Sequence, residues 1–448
     1  MKPLHVVVIV MGDVGRSPRM QYHAQSLLQE GYSVSLIGYS GEKLIPALQE
    51  PNDRLNVIRF TIPNPKILRK FLPLYYAWRL ISLVGGLIWA LWVSVSSNPT
   101  PVDVVLVQIP PAVPLLAVTL LFCRFRGISK QHQPALVIDW HNLGYSMLRK
   151  GSLQKLARWY ERTMAPYADG HLCVTNAMKD FLRSDMKIEH NVSVLYDCPP
   201  SMFRAMSLSE RHDFLLRLDK DLCAACPHSW YDSLDPSCQT LFTEAVSGTI
   251  RLRKGRPALV TSSTSWTEDE DFGVLLSALI LLDERLSRET SPLRILVVVT
   301  GKGPMKATYE EKISKLTLNY VAIHTLWLEP VDYPRLLACA DLGVSLHAST
   351  SGLDLPMKVL DLFGCEVPVL ALNFQCLSEL VQDGVNGRVF ESSAELAEQL
   401  ESSLKPIGDS SMDGDTLARF SKQLHGRIRW SENWKKNALP VIIAAVPS

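Results

Sequence analysis

The sequence lacks an excess of charge of either sign. Its 448 residues include 46 basic and 45 acidic side chains, which leaves a formal net charge of +1. Domains that bind nucleic acid usually carry a basic surface and a high isoelectric point. The balance of charge therefore argues against nucleic acid as a partner.

Disulfide and metal-binding patterns are also missing. The nine cysteines are an odd number and are scattered through apparent core segments, which fits a reduced cytosolic environment better than a disulfide framework. Cys223 and Cys226 form a C-x-x-C pair, but no second pair stands at zinc-ligand spacing. We interpret these two residues as loop thiols. We expect no metal and no cofactor.

The first ten residues do not have the pattern of a secretory signal. They run into an apolar stretch that is followed by Gly12 and Asp13, which is typical of a buried strand and its turn. We therefore expect no signal peptide.

Short β-branched runs alternate with longer amphipathic stretches throughout the chain, which predicts parallel sheets with helical crossovers. The predicted strands of the first half are 5–10, 32–38, 56–61, 102–108, 135–140, 171–175 and 192–196. Those of the second half are 258–262, 294–300, 320–324, 342–346, 367–371 and 387–390. The length also exceeds what one core usually supports. The fold class is therefore α/β, with two Rossmann-like, doubly wound domains facing a cleft.

The predicted domain boundaries follow changes in composition. Residues 1–197 form an N-terminal Rossmann-like domain, and 255–407 form a C-terminal one. Residues 198–254, which show no clear strand, are interpreted as a helical insertion and linker. Residues 408–448 contain Trp430 and Trp434 and are expected to form a C-terminal helix that packs back on the first domain.

One segment, Phe71–Val95, is apolar enough to contact a membrane. At about 1.5 Å per residue it reaches about 37 Å, which would cross a bilayer. The strands before and after it should pair in one sheet, however, and a single span would place them on opposite sides. An in-plane helix with interfacial tryptophans is favoured, and a buried crossover helix is the alternative. Pro111–Phe125 adds a second apolar patch.

Two stretches of the first domain carry candidate chemistry. The loop from Gly12 to Arg19 places glycines, a carboxylate and two arginines before a helix, an arrangement that can hold an anionic or sugar-bearing ligand. It is not the G-x-G-x-x-G fingerprint of a dinucleotide site. His141 follows Asp139 at the end of a predicted strand, where ligands collect and where the carboxylate could orient the imidazole.

The second domain contains the features of a nucleotide-sugar site. Gly301, Lys302 and Gly303 follow an apolar strand, and the stretch 345–371 predicts a strand, a polar loop, a helix and another strand. The loop residues Ser349, Thr350, Ser351 and Gly352 would present hydroxyl and N–H groups. Lys358 and Asp361 share one helix face, because they are three residues apart. They would supply a cation for a diphosphate and a carboxylate for ribose.

These motifs resemble known enzymes. Pro356–Asp361, with Gly364 and Val367–Val369, resembles the donor site of GT-B glycosyltransferases. Longer stretches along residues 5 to about 440 resemble one family, the chitobiosyldiphosphodolichol beta-mannosyltransferases. The stretches are 12–24 (GDVGRSPRMQYHA), 139–146 (DWHNLGYS), 172–178 (LCVTNAM), 262–272 (SSTSWTEDEDF), 300–304 (TGKGP), 332–347 (DYPRLLACADLGVSLH) and 351–365 (SGLDLPMKVLDLFGC).

The resemblance implies an inverting enzyme that adds the first β-1,4-mannose from GDP-mannose to chitobiosyl-diphosphodolichol in N-glycan assembly. For the catalytic base we name His141 first and Asp13 second, as a hypothesis. The residues assigned to donor binding are Ser263, Thr264, Ser265, Gly301, Lys302, Gly303, Ser351, Gly352, Lys358 and Asp361. Those assigned to acceptor binding are Gly15, Arg16, Arg19 and Asn142.

The resemblance also implies a location and leaves alternatives open. The expected site is the cytosolic face of the endoplasmic reticulum membrane, with other mannosyltransferases of the pathway as potential partners. Many family members have an N-terminal anchor, whereas here Phe71–Val95 or Pro111–Phe125 is expected to make the membrane contact. Retaining relatives carry a glutamate where this chain has Leu353. The alternatives are a retaining GT-B transferase that uses another nucleotide sugar, and a non-catalytic membrane scaffold of the same pathway.

Overall fold

The computed structural model describes residues 3–65, 69–98, 100–128, 133–268, 270–289, 293–349, 351–408 and 416–446. The chain divides into two compact units. The N-terminal unit contains residues 1–197 and 428–448, and the C-terminal unit contains residues 198–427. Each unit is built around its own parallel sheet.

The N-terminal unit contains a seven-stranded parallel sheet in the order β3-β2-β1-β4-β5-β6-β7. The strands are β1 (His5–Asp13), β2 (Ser33–Tyr39), β3 (Leu55–Phe60), β4 (Val104–Ile109), β5 (Ala135–Trp140), β6 (Gly170–Cys173) and β7 (Val192–Val194). Its helices are α1 (Pro18–Gln29), α2 (Leu72–Ser96), α3 (Leu115–Ile128), α4 (Ser152–Met164), α5 (Asn176–Ser184), α13 (Trp430–Asn437) and α14 (Leu439–Ala445).

The central strands are buried on both faces, which explains their continuous apolar sequences. Val6, Val7, Val8 and Ile9 are fully buried. A parallel strand covered by helices on both faces favours such runs over an alternating pattern. The predicted α/β class with two Rossmann-like domains is confirmed.

The last two helices of the chain belong to the N-terminal unit. Trp434 is fully buried in the same core as Met20 and Leu27 of α1. The indole N–H of Trp430 donates to the Ser26 hydroxyl at 3.0 Å. The C-terminal segment thus covers α1, and its return to this unit begins at Ile428.

Helix α2 is long and apolar, yet largely exposed. Its 25 residues could cross a membrane by length and composition. Its buried residues are Leu87, Ala90, Leu91 and Ser94, whereas Ile81 and Trp92 are 66% and 72% exposed. The strands on either side, β3 and β4, lie in one sheet. Of the two alternatives, the buried crossover helix is therefore wrong for most of the segment.

The C-terminal unit contains a six-stranded parallel sheet in the order β12-β11-β10-β13-β14-β15. The strands are β10 (Ala258–Ser263), β11 (Ile295–Thr300), β12 (Val321–Leu326), β13 (Leu342–Ser345), β14 (Val369–Leu372) and β15 (Gly387–Phe390). Its helices are α6 (Leu208–Ala224), α7 (Phe272–Glu289), α8 (Lys306–Ser314), α9 (Tyr333–Cys339), α10 (Met357–Gly364), α11 (Ser393–Gly408) and α12 (Thr416–Leu424).

The segment 198–254 is part of the C-terminal unit and contains a hairpin that the sequence analysis did not predict. Strands β8 (Thr243–Val246) and β9 (Thr249–Leu252) pair antiparallel. Ser247 and Gly248 join them with φ angles of +51° and +77°. Two consecutive residues with positive φ are typical of a tight hairpin turn. The Ser-Gly pair was the available signal, but the short flanking strands lack strong alternation.

Candidate functional site

The strand order of each sheet reverses direction at one point, and candidate residues lie there. In the N-terminal unit the reversal lies between β1 and β4, and in the C-terminal unit between β10 and β13. Ligands of open α/β sheets bind outside the carboxyl ends of the strands at such a point. Asp13 ends β1, and Ser263 ends β10.

Asp139 is the centre of a buried polar cluster in the N-terminal unit. Arg19 donates from Nε to Oδ2 and from Nη2 to Oδ1, both at 2.8 Å. Arg19 Nη1 also donates to the Leu195 carbonyl and to Asp197 Oδ1, again at 2.8 Å. Burial alone would raise the pKa of Asp139, but Arg19 and His141 hold it well below its usual range. Asp139 is therefore an ionised, fixed acceptor.

Two histidines share this carboxylate. His23 Nε2 lies 3.2 Å and His141 Nε2 lies 2.9 Å from Asp139 Oδ2. The Trp434 indole donates to His23 Nδ1 at 2.9 Å, so His23 must carry its proton on Nε2. Burial lowers the pKa of His23, which keeps it neutral. His23 thus helps to hold Asp139 and has no nitrogen left for a substrate.

His141 contacts Asp139 through Nε2, which leaves Nδ1 as the nitrogen that could accept a proton. Because Asp139 is ionised, it accepts the Nε2 proton of His141, and the lone pair of the neutral ring lies on Nδ1. The side chain is 23% exposed, whereas Asp139 is fully buried. A neutral imidazole oriented by a buried carboxylate is an arrangement suited to accept a proton.

The Asp13 carboxylate already accepts hydrogen bonds from nearby backbone. Its carboxylate accepts from the Gly15 N–H and the Glu42 N–H, each at 2.9 Å. The hydrogen bond from Glu42 is the main cause that lowers the pKa of Asp13. A carboxylate stabilised in its ionised form is a weaker base. The geometry therefore favours His141 over Asp13.

The predicted acceptor-binding residues have structural partners. A side chain at Gly15 would lie 2.5 Å from the Glu42 carbonyl, so this glycine accommodates a neighbouring loop. Arg16 is exposed and pairs with Glu42 at 2.9 Å. The guanidinium of Arg19 is buried against Asp139 and Asp197, which differs from the predicted role in binding acceptor.

Glu161 accepts a hydrogen bond from the loop that follows His141. Asn142 Oδ1 accepts from the Leu143 N–H at 2.7 Å, which folds this predicted acceptor ligand onto its own loop. Glu161 Oε1 accepts from the Tyr145 N–H at 3.0 Å. Burial raises the pKa of Glu161 to about 7, against the opposing effect of hydrogen bonds from the Tyr145 and Gly144 N–H groups.

In the C-terminal unit, Glu270 and Lys358 form an ion pair. Glu270 Oε2 also accepts from the Ser265 N–H at 2.6 Å and from its hydroxyl at 2.8 Å. Burial would raise the pKa of Glu270, but His347, Lys358 and Ser265 lower it overall. His347 Nδ1 lies 3.6 Å from Glu270 Oε1, and its Nε2 is buried without a partner in the described part of the chain.

The described residues of the acidic run 268–271 differ in exposure. Glu268 and Asp271 are exposed, but Glu270 is 4% exposed and holds the predicted donor-binding lysine. Asp269 lies outside the described residues. Trp266, just before this run, is buried against Phe272.

The predicted hydroxyl donors after β10 already have partners. Ser263 Oγ lies 2.9 Å from both Thr300 Oγ1 and Tyr333 Oη. The Thr264 hydroxyl donates to Glu270 Oε2 at 3.2 Å. The structure thus uses Ser263, Thr264 and Ser265 to order the loop that presents Glu270.

The glycines after β11 serve a close approach between loops. A side chain at Gly301 would lie 1.9 Å from the Thr264 carbonyl, and one at Gly303 would lie 1.7 Å from the Ser265 carbonyl. Both glycines are therefore required by neighbouring backbone. The Lys302 ammonium lies 3.6 Å from the centre of the Trp327 ring, where a cation is attracted by the aromatic face.

The polar loop before α10 forms hydrogen bonds among its own residues. The hydroxyls of Ser349 and Ser351 hydrogen-bond to Asp354. Gly352 has a φ of +73°, and its N–H donates to the Ser349 hydroxyl at 2.9 Å. Thr350 lies outside the described residues. In this structure the two serine hydroxyls are therefore engaged within the loop, and their role in binding the donor stays a prediction.

Asp361 is the carboxylate with unused hydrogen-bonding capacity. Its side chain has no hydrogen-bond partner among the described residues, and burial raises its pKa to about 7. It lies near Tyr333, whose pKa is raised mainly by burial and secondarily by this carboxylate. A half-buried acceptor that lacks a partner among the described residues carries a desolvation cost that a ligand's donor would offset. Lys358 and Asp361 thus remain the candidate donor ligands, one turn apart on α10.

No cluster of three or more potential metal ligands occurs within the described ranges. All nine cysteines are free thiols, eight of them buried. His23, Asp197, Glu270 and His347 were not predicted from the sequence as parts of these sites. Only His23 carried a signal, because it lies four residues after Arg19 and so shares its helix face.

Comparison with known proteins identifies two glycosyltransferase regions. Residues 19–198 match the family described as "Glycosyltransferase Family 4", and residues 256–405 match "Glycosyl transferases group 1". The solved structure of Anabaena HepE in complex with UDP-glucose aligns with a TM-score of 0.61 at 16% identity, covering 96% of this chain and 97% of that one. At that identity the likeness shows the fold alone.

Two curated relatives align along nearly the whole chain. The Mus musculus chitobiosyldiphosphodolichol beta-mannosyltransferase is 40% identical over 98% of this chain and 89% of its own length. The Arabidopsis thaliana protein named UDP-glycosyltransferase TURAN is 41% identical over 98% and 97%. The chain therefore belongs to the chitobiosyldiphosphodolichol beta-mannosyltransferase family, and it is a glycosyltransferase with the GT-B fold.

Proposed function

We propose that this enzyme transfers mannose from GDP-mannose to a chitobiose linked through a diphosphate to dolichol, with inversion at the anomeric carbon. The observation that carries the proposal is the placement of Lys358 and Asp361 on one face of α10 beside the reversal point of the second sheet. The names of the relatives supply the sugar and the acceptor.

The donor half of the proposal rests on charge. A nucleoside diphosphate needs a cation for its phosphates and an acceptor for its ribose hydroxyls. In the proposed donor complex the Lys358 ammonium turns from Glu270 to the diphosphate. Glu270 and its neighbour His347 keep that ammonium close to its present position. As the bond to mannose breaks, negative charge grows on the leaving diphosphate, and a fixed ammonium stabilises that charge.

The acceptor half requires a base. An attacking hydroxyl must lose its proton as it bonds to the anomeric carbon. His141 Nδ1 is the proton acceptor that the N-terminal unit offers, since Asp139 holds the proton on Nε2. Leu353 supports inversion, because this buried leucine stands where retaining relatives carry a glutamate.

A second candidate function differs in the donor. The Arabidopsis relative is named a UDP-glycosyltransferase, so a uridine nucleotide is the alternative to a guanosine nucleotide. The proposed cellular site is the cytosolic face of the endoplasmic reticulum. The exposed apolar residues of α2 support attachment to a membrane.

The test is donor competition. The purified chain is incubated with radiolabelled GDP-mannose and a chitobiosyl diphosphate lipid, with unlabelled UDP-glucose, UDP-N-acetylglucosamine or GDP-mannose as competitor. We expect label in the lipid product and competition by GDP-mannose alone. Efficient competition by a uridine nucleotide sugar, or no labelled product, would contradict the proposal.

A further inference from the structure

The exposed apolar side chains of the N-terminal unit are concentrated in one part of the chain. Among its described residues, the exposed large apolar side chains lie between Phe71 and Tyr167, apart from Ile428. This interval contains α2, α3 and α4. The concentration indicates a surface that faces something other than water.

The three helices lie on the same face of the sheet. They connect β3 to β4, β4 to β5 and β5 to β6, and all three connections run in one direction across the strand order. Right-handed crossovers in one direction place their helices on one face. Helix α1 connects strands in the opposite direction and packs with α13 on the other face. Tyr160 of α4 accepts from the Ala117 N–H of α3 at 2.8 Å, which joins neighbouring helices.

Helix α4 exposes its apolar side, which an ordinary crossover helix would bury. Leu153, Leu156 and Trp159 are 64%, 58% and 59% exposed, and their spacing places them on one side of the helix. The buried residue of α4 is Glu161. A crossover helix of a water-soluble protein would turn its apolar side inward.

The apolar side of α4 is bordered by cations. Arg149, Lys150 and Lys155 are exposed and have no anionic partner among the described residues. Arg158 and Arg162 lie 2.8 and 3.5 Å from Asp185. Basic residues next to apolar side chains and a tryptophan are the pattern of a helix at an anionic lipid surface.

We propose that α4 is an interfacial helix that binds an anionic phospholipid surface separately from α2. Leu153, Leu156 and Trp159 enter the boundary between headgroups and acyl chains, and Lys150 and Lys155 contact lipid phosphates. The proposal deepens the proposed function and rests on it only for the lipid nature of the acceptor. Through Glu161, α4 is bonded directly to the loop that follows His141. The lipid-binding helix therefore borders the loop at the candidate base.

The experiment measures binding of the full chain to vesicles of phosphatidylcholine alone and of phosphatidylcholine with phosphatidylserine. In Lys150→Gln/Lys155→Gln, affinity for the mixed vesicles should fall about ten- to thirty-fold, since each surface cation contributes roughly a five-fold factor. Affinity for neutral vesicles should hardly change. Helix α2 is present in every protein and has Arg79 as its internal charge, so its contribution is common to all.

Two further variants complete the test. Lys435→Gln/Lys436→Gln removes two exposed charges from α13 on the opposite face and should bind both vesicles like the parent. Leu153→Ser/Trp159→Ser should weaken binding to both vesicles while keeping the melting temperature. Unchanged binding of the Lys150/Lys155 variant to mixed vesicles, or an equal loss in the α13 control, would overturn the proposal. Absence of mannosyl transfer in the parent would instead refute only the proposed function.

Discussion

Arg19 and Asp139 are joined by two parallel hydrogen bonds of 2.8 Å, and both side chains are buried. The pair fixes an ionised carboxylate beneath His141. It also joins α1 to the end of β5, two elements that are 120 residues apart in sequence. The geometry of the candidate base therefore depends on a long-range contact that folds with the core.

We expect Arg19→Met to destabilise the protein strongly. The substitution leaves the buried Asp139 and the half-buried Asp197 without their cation, and loss of one partner of a buried pair typically costs about 3–5 kcal/mol. Urea unfolding measures the change in free energy of unfolding. Arg16→Met is the matched control, because Arg16 is exposed and should change stability little. A similar stability for both variants would contradict the structural role of Arg19.

His141→Ala should lower kcat by a factor of roughly 10²–10⁴, since general-base catalysis contributes about that much. Binding of GDP-mannose should persist, because the candidate donor ligands Lys358 and Asp361 belong to the C-terminal unit. His190→Ala removes an exposed histidine of the same unit and serves as control. If His141→Ala retains more than about a tenth of the parent turnover, another group is the base.

Lys358→Ala should weaken GDP binding by roughly ten- to a hundred-fold, because a charge-assisted contact to a diphosphate contributes about 1.5–3 kcal/mol. Calorimetry measures the affinity. Lys302→Ala should have a smaller effect, since Lys302 lies over Trp327. Equal affinities of Lys358→Ala and the parent would remove Lys358 from the donor site.

Asp361→Asn tests the raised pKa of that carboxyl. With a folded pKa of about 7, Asp361 keeps its proton between roughly pH 4 and 7, whereas the unfolded chain has lost it. The free energy of unfolding should therefore fall as pH rises through this window, and the fall should be smaller in the variant. At about pH 8 the ligand-free variant should melt higher than the parent, yet bind GDP more weakly, because ribose donates to the ionised carboxylate.

The pH dependence of binding supplies the control for the same residue. Lowering the pH from about 8 to 6 should weaken GDP binding more in the parent than in Asp361→Asn, since protonation removes the acceptor only in the parent. Parallel pH profiles for the two proteins would show that Asp361 does not bind the ribose.

Helix α2 allows a comparison of its two faces. Ile81→Ser/Trp92→Ser changes exposed residues and should reduce binding to neutral vesicles without lowering the melting temperature. Leu87→Ser/Leu91→Ser changes fully buried residues and should destabilise the fold by about 2–5 kcal/mol or more. Unfolding of the Ile81/Trp92 variant would identify the outer face as core.

The parallel strands could be predicted because they are local apolar runs, such as Val6–Ile9 and Ile295–Val299. The pairing of Arg19 with Asp139 could not be predicted, because the sequence around each residue does not specify a partner 120 residues away. The role of Glu270 could not be predicted for a related reason. Four consecutive acids are usually solvated, and only the fold brings the third of them to Lys358, 88 residues later.

The glycines illustrate a different limit. A glycine after a strand indicates that something approaches closely, but not what approaches. Gly301 and Gly303 were predicted to bind the donor, and in the structure they also lie against the carbonyls of Thr264 and Ser265. That neighbouring loop could not be identified from the sequence.

The anomeric configuration of the product distinguishes inversion from retention at the anomeric carbon. The full chain is incubated with GDP-mannose labelled with ¹³C at the anomeric carbon and with a chitobiosyl diphosphate lipid, and the one-bond carbon–proton coupling of the new linkage is measured by NMR. The account predicts a single β-mannoside, formed by one displacement with His141 as base. An α-mannoside would contradict inversion, and a product labelled to the same extent by the His141→Ala enzyme would contradict the assignment of the base.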